Sequence, residues 1–191
     1  MKKIFKSIVL RFCAWVAPDS GRKVVFYHDV GVKYTKMGTP SDLFWAHMKI
    51  LHAQNNQRGE AEHLVCFDDG FRGIWEEKER FLREGVRPIV FIAVRLVGQE
   101  GYLRWGEIRE LQDHYGFTFQ SHTWSHQTLA GEYLDESPKA PRTAEWYEHE
   151  LVDAKRELEC RLGRPVDSLC FPAGMFSPAV VELCRSAGYG K

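Results

Sequence analysis

Two pairs of metal-binding side-chain types stand in short, widely separated words of this chain. Phe67-Asp68-Asp69-Gly70 places adjacent carboxylates just past the apolar run Leu64-Val65-Cys66-Phe67, and Ser121-His122-Thr123-Trp124-Ser125-His126 places two imidazoles four residues apart after Phe117-Thr118-Phe119-Gln120. Imidazoles at that separation can share one metal ion, and a carboxylate from elsewhere can complete the set. Successive residues leaving a strand point in different directions, so one carboxylate can ligate while its neighbour faces a water molecule. Three protein ligands leave positions open for water and substrate, which is the arrangement of metal-assisted hydrolysis. Taken singly, Asp-Asp-Gly also reads as a turn or a helix cap, and each His as a packed or solvated residue.

The elements needed to position those words follow in regular alternation. Strands are expected at Val24–Tyr27, read as a buried strand, and at Leu64–Phe67, Pro88–Ala93, Phe117–Ser121 and Asp167–Phe171, all short and apolar. Helices are expected from Ser41 or Asp42 onward, over Ile74–Glu84, Trp105–His114 and Trp146–Leu162, and from Ser177-Pro178 to about Ala187, several of them closed by a Gly. Short strands separated by helices imply a parallel sheet with helices packed outside it. His28-Asp29, Asp68-Asp69, His122 with His126, and Pro172-Ala173-Gly174 each follow the C-terminal end of an expected strand. In a parallel α/β barrel those ends share one face, so four words point to one pocket. Trp124 and Phe71 read equally as sugar-stacking or wall residues, and Leu129 to Arg142 as a long loop beside the site.

With 191 residues, 44% hydrophobic and 27% charged, the chain suits one domain with a hydrophobic core. Lys plus Arg equals Asp plus Glu at 26 each, which gives no electrostatic reason to expect a nucleic-acid partner. The five cysteines form no CxxC and no paired spacing, which argues against a disulfide framework and against zinc-ribbon chemistry. Residues 1–22 read as a separate basic segment: Lys2, Lys3, Lys6 and Arg11 interleave with Phe5, Ile8, Val9, Phe12 and Val16 at helical spacing. Such a segment is expected either to lie on an anionic membrane surface through residues 1–20 or to pack on the domain. The apolar stretch is too short for a signal peptide, so the expected location is cytoplasmic or peripheral at the membrane.

The two words resemble those of the polysaccharide deacetylase family, the NodB-like carbohydrate esterases. Phe67-Asp68-Asp69-Gly70 is similar to the family's Thr-Phe-Asp-Asp-Gly with Cys66 for Thr, and His122-Thr123-Trp124-Ser125-His126 to its His-Ser/Thr-x-x-His. The resemblance runs over roughly residues 23 to 189 and assigns residues 23–191 to one catalytic domain. It implies a distorted (β/α) barrel of NodB type and metal-dependent removal of N-acetyl groups from aminosugars of a polysaccharide or glycan precursor. By motif position Asp69, His122 and His126 would bind one divalent ion, with zinc expected first although the donor set does not itself choose. Asp68 would be the base.

Two departures accompany the resemblance. The family's Arg-x-Pro-Tyr aligns with Cys170-Phe171-Pro172-Ala173, so the Arg that orients the base is missing, while the backbone N–H of Ala173 keeps the capacity to serve an oxyanion. The chain also stops where the family begins another strand, which leaves a barrel incomplete at its C-terminus and no late acid His. Tyr27-His28-Asp29-Val30 resembles the word of a circularly permuted, exopolysaccharide-deacetylase branch, in which His28 would protonate the departing amine. No protein partner is implied. The remaining readings are hydrolysis of another amide, such as deformylation, and an inactive carbohydrate-binding relative.

Overall fold

The computed structural model describes residues 24–58, 63–130 and 142–190. The expected basic segment over residues 1–22 and most of the loop from Leu129 to Arg142 fall outside them. Four strands, β1 (Val24–Tyr27), β2 (Leu64–Phe67), β3 (Ile89–Ile92) and β4 (Thr118–Ser121), pair in parallel in the order β1-β2-β3-β4. Helices alternate with them: α1 (Ser41–Arg58) after β1, α2 (Gly73–Glu76) and α3 (Lys78–Glu84) after β2, and α4 (Trp105–Tyr115) after β3. After β4 come α5 (Ala144–Glu148), a π-helical turn over His149–Asp153, and α6 (Ala154–Leu162), followed by α7 (Pro178–Ser186). This is the α/β arrangement expected from the alternating pattern, since parallel strands need a crossover helix between them. None of the described helices is long and apolar enough to cross a membrane.

The helix side of the sheet is packed with aromatic rings. Phe44 and Trp45 from α1, Phe67 from β2, Phe81 from α3 and Phe117 ahead of β4 are buried, with neighbouring centroids about 5 to 6 Å apart in mostly edge-to-face or tilted arrangements. Rings of that size contribute both apolar area and preferred geometry, so they set the distance between sheet and helices. Asp29, fully buried, joins this scaffold to the loop after β2. Its Oδ1 accepts the N–H of Val30 and its Oδ2 the N–H of Gly73, while burial pushes the carboxyl up to about 7 against the pull of those bonds. A side chain at Gly73 would collide with Val30 O at 2.3 Å and Asp29 Oδ1 at 2.4 Å, which is why glycine stands there.

Three expectations are corrected. The fifth strand, Asp167–Phe171, is reduced to one parallel bridge between Ser121 and Leu169. Asp167 and Ser168 give their N–H groups to Gln120 Oε1 instead of a neighbouring strand, and Pro172 has no N–H to continue the ladder. Among the described residues the sheet is therefore open, and no closed barrel is formed. The helix expected over Ile74–Glu84 breaks at Glu77, whose carboxylate accepts from Ser41 Oγ and Trp45 Nε1 of α1. Finally, β1 is an edge strand with Val24 and Phe26 largely exposed at 62% and 67%, not a buried strand.

Candidate metal centre

The strand ends deliver the site. Register places Tyr27 beside Phe67, and the Asp68 N–H donates to the Tyr27 carbonyl at 2.9 Å, so His28 and the Asp pair leave neighbouring strands at one edge. The His122 N–H donates to the Ile92 carbonyl at 2.8 Å, which fixes the start of the histidine loop on the end of β3. Among the described residues only four non-glycines adopt left-handed backbone: Asp69, Thr123, His126 and Ala173. All four belong to the words singled out by chemistry. Such conformations cost roughly 1–3 kcal/mol each and persist where surrounding structure enforces them. Gly70, left-handed as well, lies so close to Ile92 that a Cβ would meet its Cδ1 at 2.6 Å.

Asp69, His122 and His126 converge. Asp69 Oδ1 lies 2.9 Å from His126 Nε2 and 3.4 Å from His122 Nε2, with Asp69 and His122 buried and His126 partly exposed. His122 Nδ1 is 2.8 Å from the Cys170 carbonyl, which can only accept, so Nδ1 carries a hydrogen and Nε2 is the ring nitrogen that faces Asp69. Asp69 Oδ1 is a buried acceptor that no hydrogen bond satisfies. Burial works to raise the Asp69 carboxyl, but the His122 and His126 rings outweigh it and hold it below the usual carboxylate range, so it is anionic. One carboxylate oxygen and two imidazole nitrogens converging on one point form a donor set that could hold a metal ion. Ligand atoms about 2.1 Å from a tetrahedral zinc stand about 3.4 Å apart, close to the separations seen. The donor set fits one divalent ion with an open face, and the Nδ1 hydrogen bond to Cys170 is the support such a histidine ligand needs.

Asp68 lies beside this triad. One of its oxygens, a His122 ring nitrogen and Cys170 Sγ fall within 4.8 Å of one another. Asp68 Oδ1, like Asp69 Oδ1, is shielded without a hydrogen bond. Burial first, then the Asp68 charge and hydrogen bonding to it, push the Cys170 thiol far up, so it stays protonated. Ala173 sits in a one-turn helix over Pro172–Gly174 with φ of 56°, where the following N–H groups of Gly174 and Met175 fold back onto Phe171 and Pro172. His28 is half-buried with its ring edge-on to Phe26 at 6.3 Å; neither it nor Ala173 belongs to a ligand cluster.

Glu150 has a role that its place in the sequence did not reveal. From the π-helical turn its buried Oε2 accepts the N–H groups of Trp124 and Ser125, at 3.1 and 2.9 Å, inside the histidine word. A helical acidic residue 24 positions beyond His126 looks like any solvated glutamate in sequence. His149 packs its ring against Trp124 at 4.4 Å and hydrogen-bonds Asp153 through Nδ1. On the other side Phe71 and Tyr102 stack at 4.6 Å across an isolated bridge.

Comparison with known proteins now bears on this geometry. The sequence profile named for polysaccharide deacetylase matches residues 55–191, more than half of the chain. The chain belongs to the polysaccharide deacetylase family. Among solved structures it superposes on IcaB from Ammonifex degensii with a TM-score of 0.71 at 19% identity, covering 88% of this chain and 81% of that one. A Streptococcus pyogenes deacetylase, PplD, determined in complex with acetate, gives 0.67 at 16% identity over 89% and 81%. A Bacillus cereus polysaccharide deacetylase gives 0.69 at 25% identity, covering 90% of this chain but only 56% of that one. No curated protein matches. The α/β fold is thus shared with NodB-type deacetylases, and the family membership and fold class implied by the two words hold.

Proposed function

We propose that this chain is a metal-dependent hydrolase that removes N-acetyl groups from aminosugar residues of a polysaccharide or glycan precursor. The observation that supports the reading is the convergence of His122 Nε2 and His126 Nε2, at 3.4 and 2.9 Å, on Asp69 Oδ1, a buried carboxylate oxygen that no hydrogen bond satisfies. These residues would hold one divalent ion, zinc first. Bound there, such an ion acidifies water and polarises an amide carbonyl.

The remaining work falls to the chain itself. Asp68 takes a proton from the attacking water as its oxygen bonds to the acetyl carbon. The N–H of Ala173 donates to the oxygen that becomes negative, a contact that strengthens as charge develops. His28 gives a proton to the nitrogen as the carbon–nitrogen bond breaks, releasing acetate and the free amine. Trp124, inside the histidine word, and Tyr102, backed by the buried Phe71, are partly exposed aromatic rings on which a sugar could stack.

Acetate release from chitooligosaccharides tests the proposal, using protein stripped with a chelator and then reloaded with zinc or cobalt. Release that depends on added metal is expected. Metal-independent release, or none from any N-acetylated glycan, would overturn it.

A further inference from the structure

Cys170 occupies the position where the resembled family carries an arginine, and its backbone is pinned from two directions. Its N–H donates to the Ser121 carbonyl at 3.0 Å, and its own carbonyl accepts the Nδ1 hydrogen of His122 at 2.8 Å. That leaves little freedom in where the side chain goes. Sγ lies within 4.8 Å of both an Asp68 oxygen and a His122 ring nitrogen. Asp68 has its N–H committed to Tyr27 and a buried Oδ1 with no hydrogen-bond donor. Among the described residues no Lys or Arg is paired with that carboxylate. A thiol carries one donor hydrogen, and an ordinary one is protonated at neutral pH.

We propose that Cys170 is the positioning residue for the Asp68 base, its S–H directed at the carboxylate in place of a cationic partner. A thiol is a weak, neutral donor. It can orient Asp68 without bringing a positive charge to it. The thiol is not assigned as a metal ligand, because the carboxylate oxygen and two ring nitrogens of the neighbouring triad already meet at one point without it. The inference rests on the catalytic role proposed for Asp68, but the hydrogen bond itself can be seen without turnover.

The S–H stretching band of Cys170, isolated as the infrared difference between wild type and Cys170→Ser, is expected to move to higher frequency in Asp68→Asn. A band unmoved by that substitution overturns the proposal. In the metal-loaded enzyme, Cys170→Ala is expected to lower kcat about tenfold, the worth of one hydrogen bond at the transition state, with KM and metal content unchanged. Cys170→Ser, which keeps a donor, is expected to recover most of that loss. Equal losses in the two variants, metal loss in Cys170→Ala, or a thiolate-to-cobalt charge-transfer band in the cobalt enzyme would each refute it. Absence of acetate release by the wild type would refute the proposed function instead, and the infrared band would still decide the placement of the thiol.

Discussion

Replacing Glu150 is expected to loosen the metal centre without touching a ligand. Its Oε2 takes two backbone N–H groups of the histidine loop, at 3.1 and 2.9 Å, from a side chain only 2% exposed. Hydrogen bonds to a buried charge contribute about 1.5–3 kcal/mol each, so Glu150→Ala removes about 3–6 kcal/mol of loop anchoring and strands two N–H donors. Glu150→Gln keeps an oxygen acceptor and loses the charge, which costs roughly half as much. The loop also holds Thr123 and His126 in left-handed backbone, and that strain is released once the anchor goes. If about half of the Glu150→Gln cost reaches the ligands, zinc affinity falls about 3–10-fold, and Glu150→Ala lowers it about 10–100-fold, the range seen for supporting residues at other metal sites. Chelator competition for zinc, read beside thermal unfolding of the metal-free protein, separates the affinity loss from a global one. Zinc affinity in Glu150→Ala within about twofold of wild type would show that the anchoring is not transmitted, and the reasoning would fail.

Asp69→Ala is expected to lose bound metal, whereas Asp68→Asn keeps it and loses turnover; metal content of the purified variants decides, and full occupancy in Asp69→Ala would contradict the ligand assignment. His28→Ala is expected to retain fold and metal while kcat falls about 10²- to 10⁴-fold, the usual worth of a general acid, and near-normal acetate release in that variant would remove His28 from the mechanism. Deleting residues 1–20 is expected to leave the domain folded and reduce its binding to anionic vesicles, and equal binding by both forms in a sedimentation assay would argue against a membrane role for that segment.

What the sequence determined by itself was the chemistry and the order of the elements. Strand positions β1 to β4 and the helices between them were legible because short apolar runs and helical periodicity report local burial, which each segment carries in its own residues. That the Asp68-Asp69 and His122-His126 words would meet was legible because both stand at strand ends, which a parallel sheet brings together, while the choice of Asp69 over Asp68 came from the resemblance of the motifs. The fate of Asp167–Phe171 was not legible: its composition suits a strand, but Gln120 captures two of its N–H groups, and that competitor lies 47 residues away in sequence. The break at Glu77 and the exposure of β1 likewise depend on which neighbours arrive. Glu150 and Cys170 are the sharpest cases. Nothing local marks Glu150, and Cys170 stood out only as a departure from a motif, because the hydrogen bond of the first and the placement of the second exist only after β4, the histidine loop and the 169–171 segment have met. Tertiary structure alone decided which carboxylate anchors the loop and which thiol comes to lie near Asp68, since side chains distant in sequence acquire partners only when the fold has fixed the distance between them.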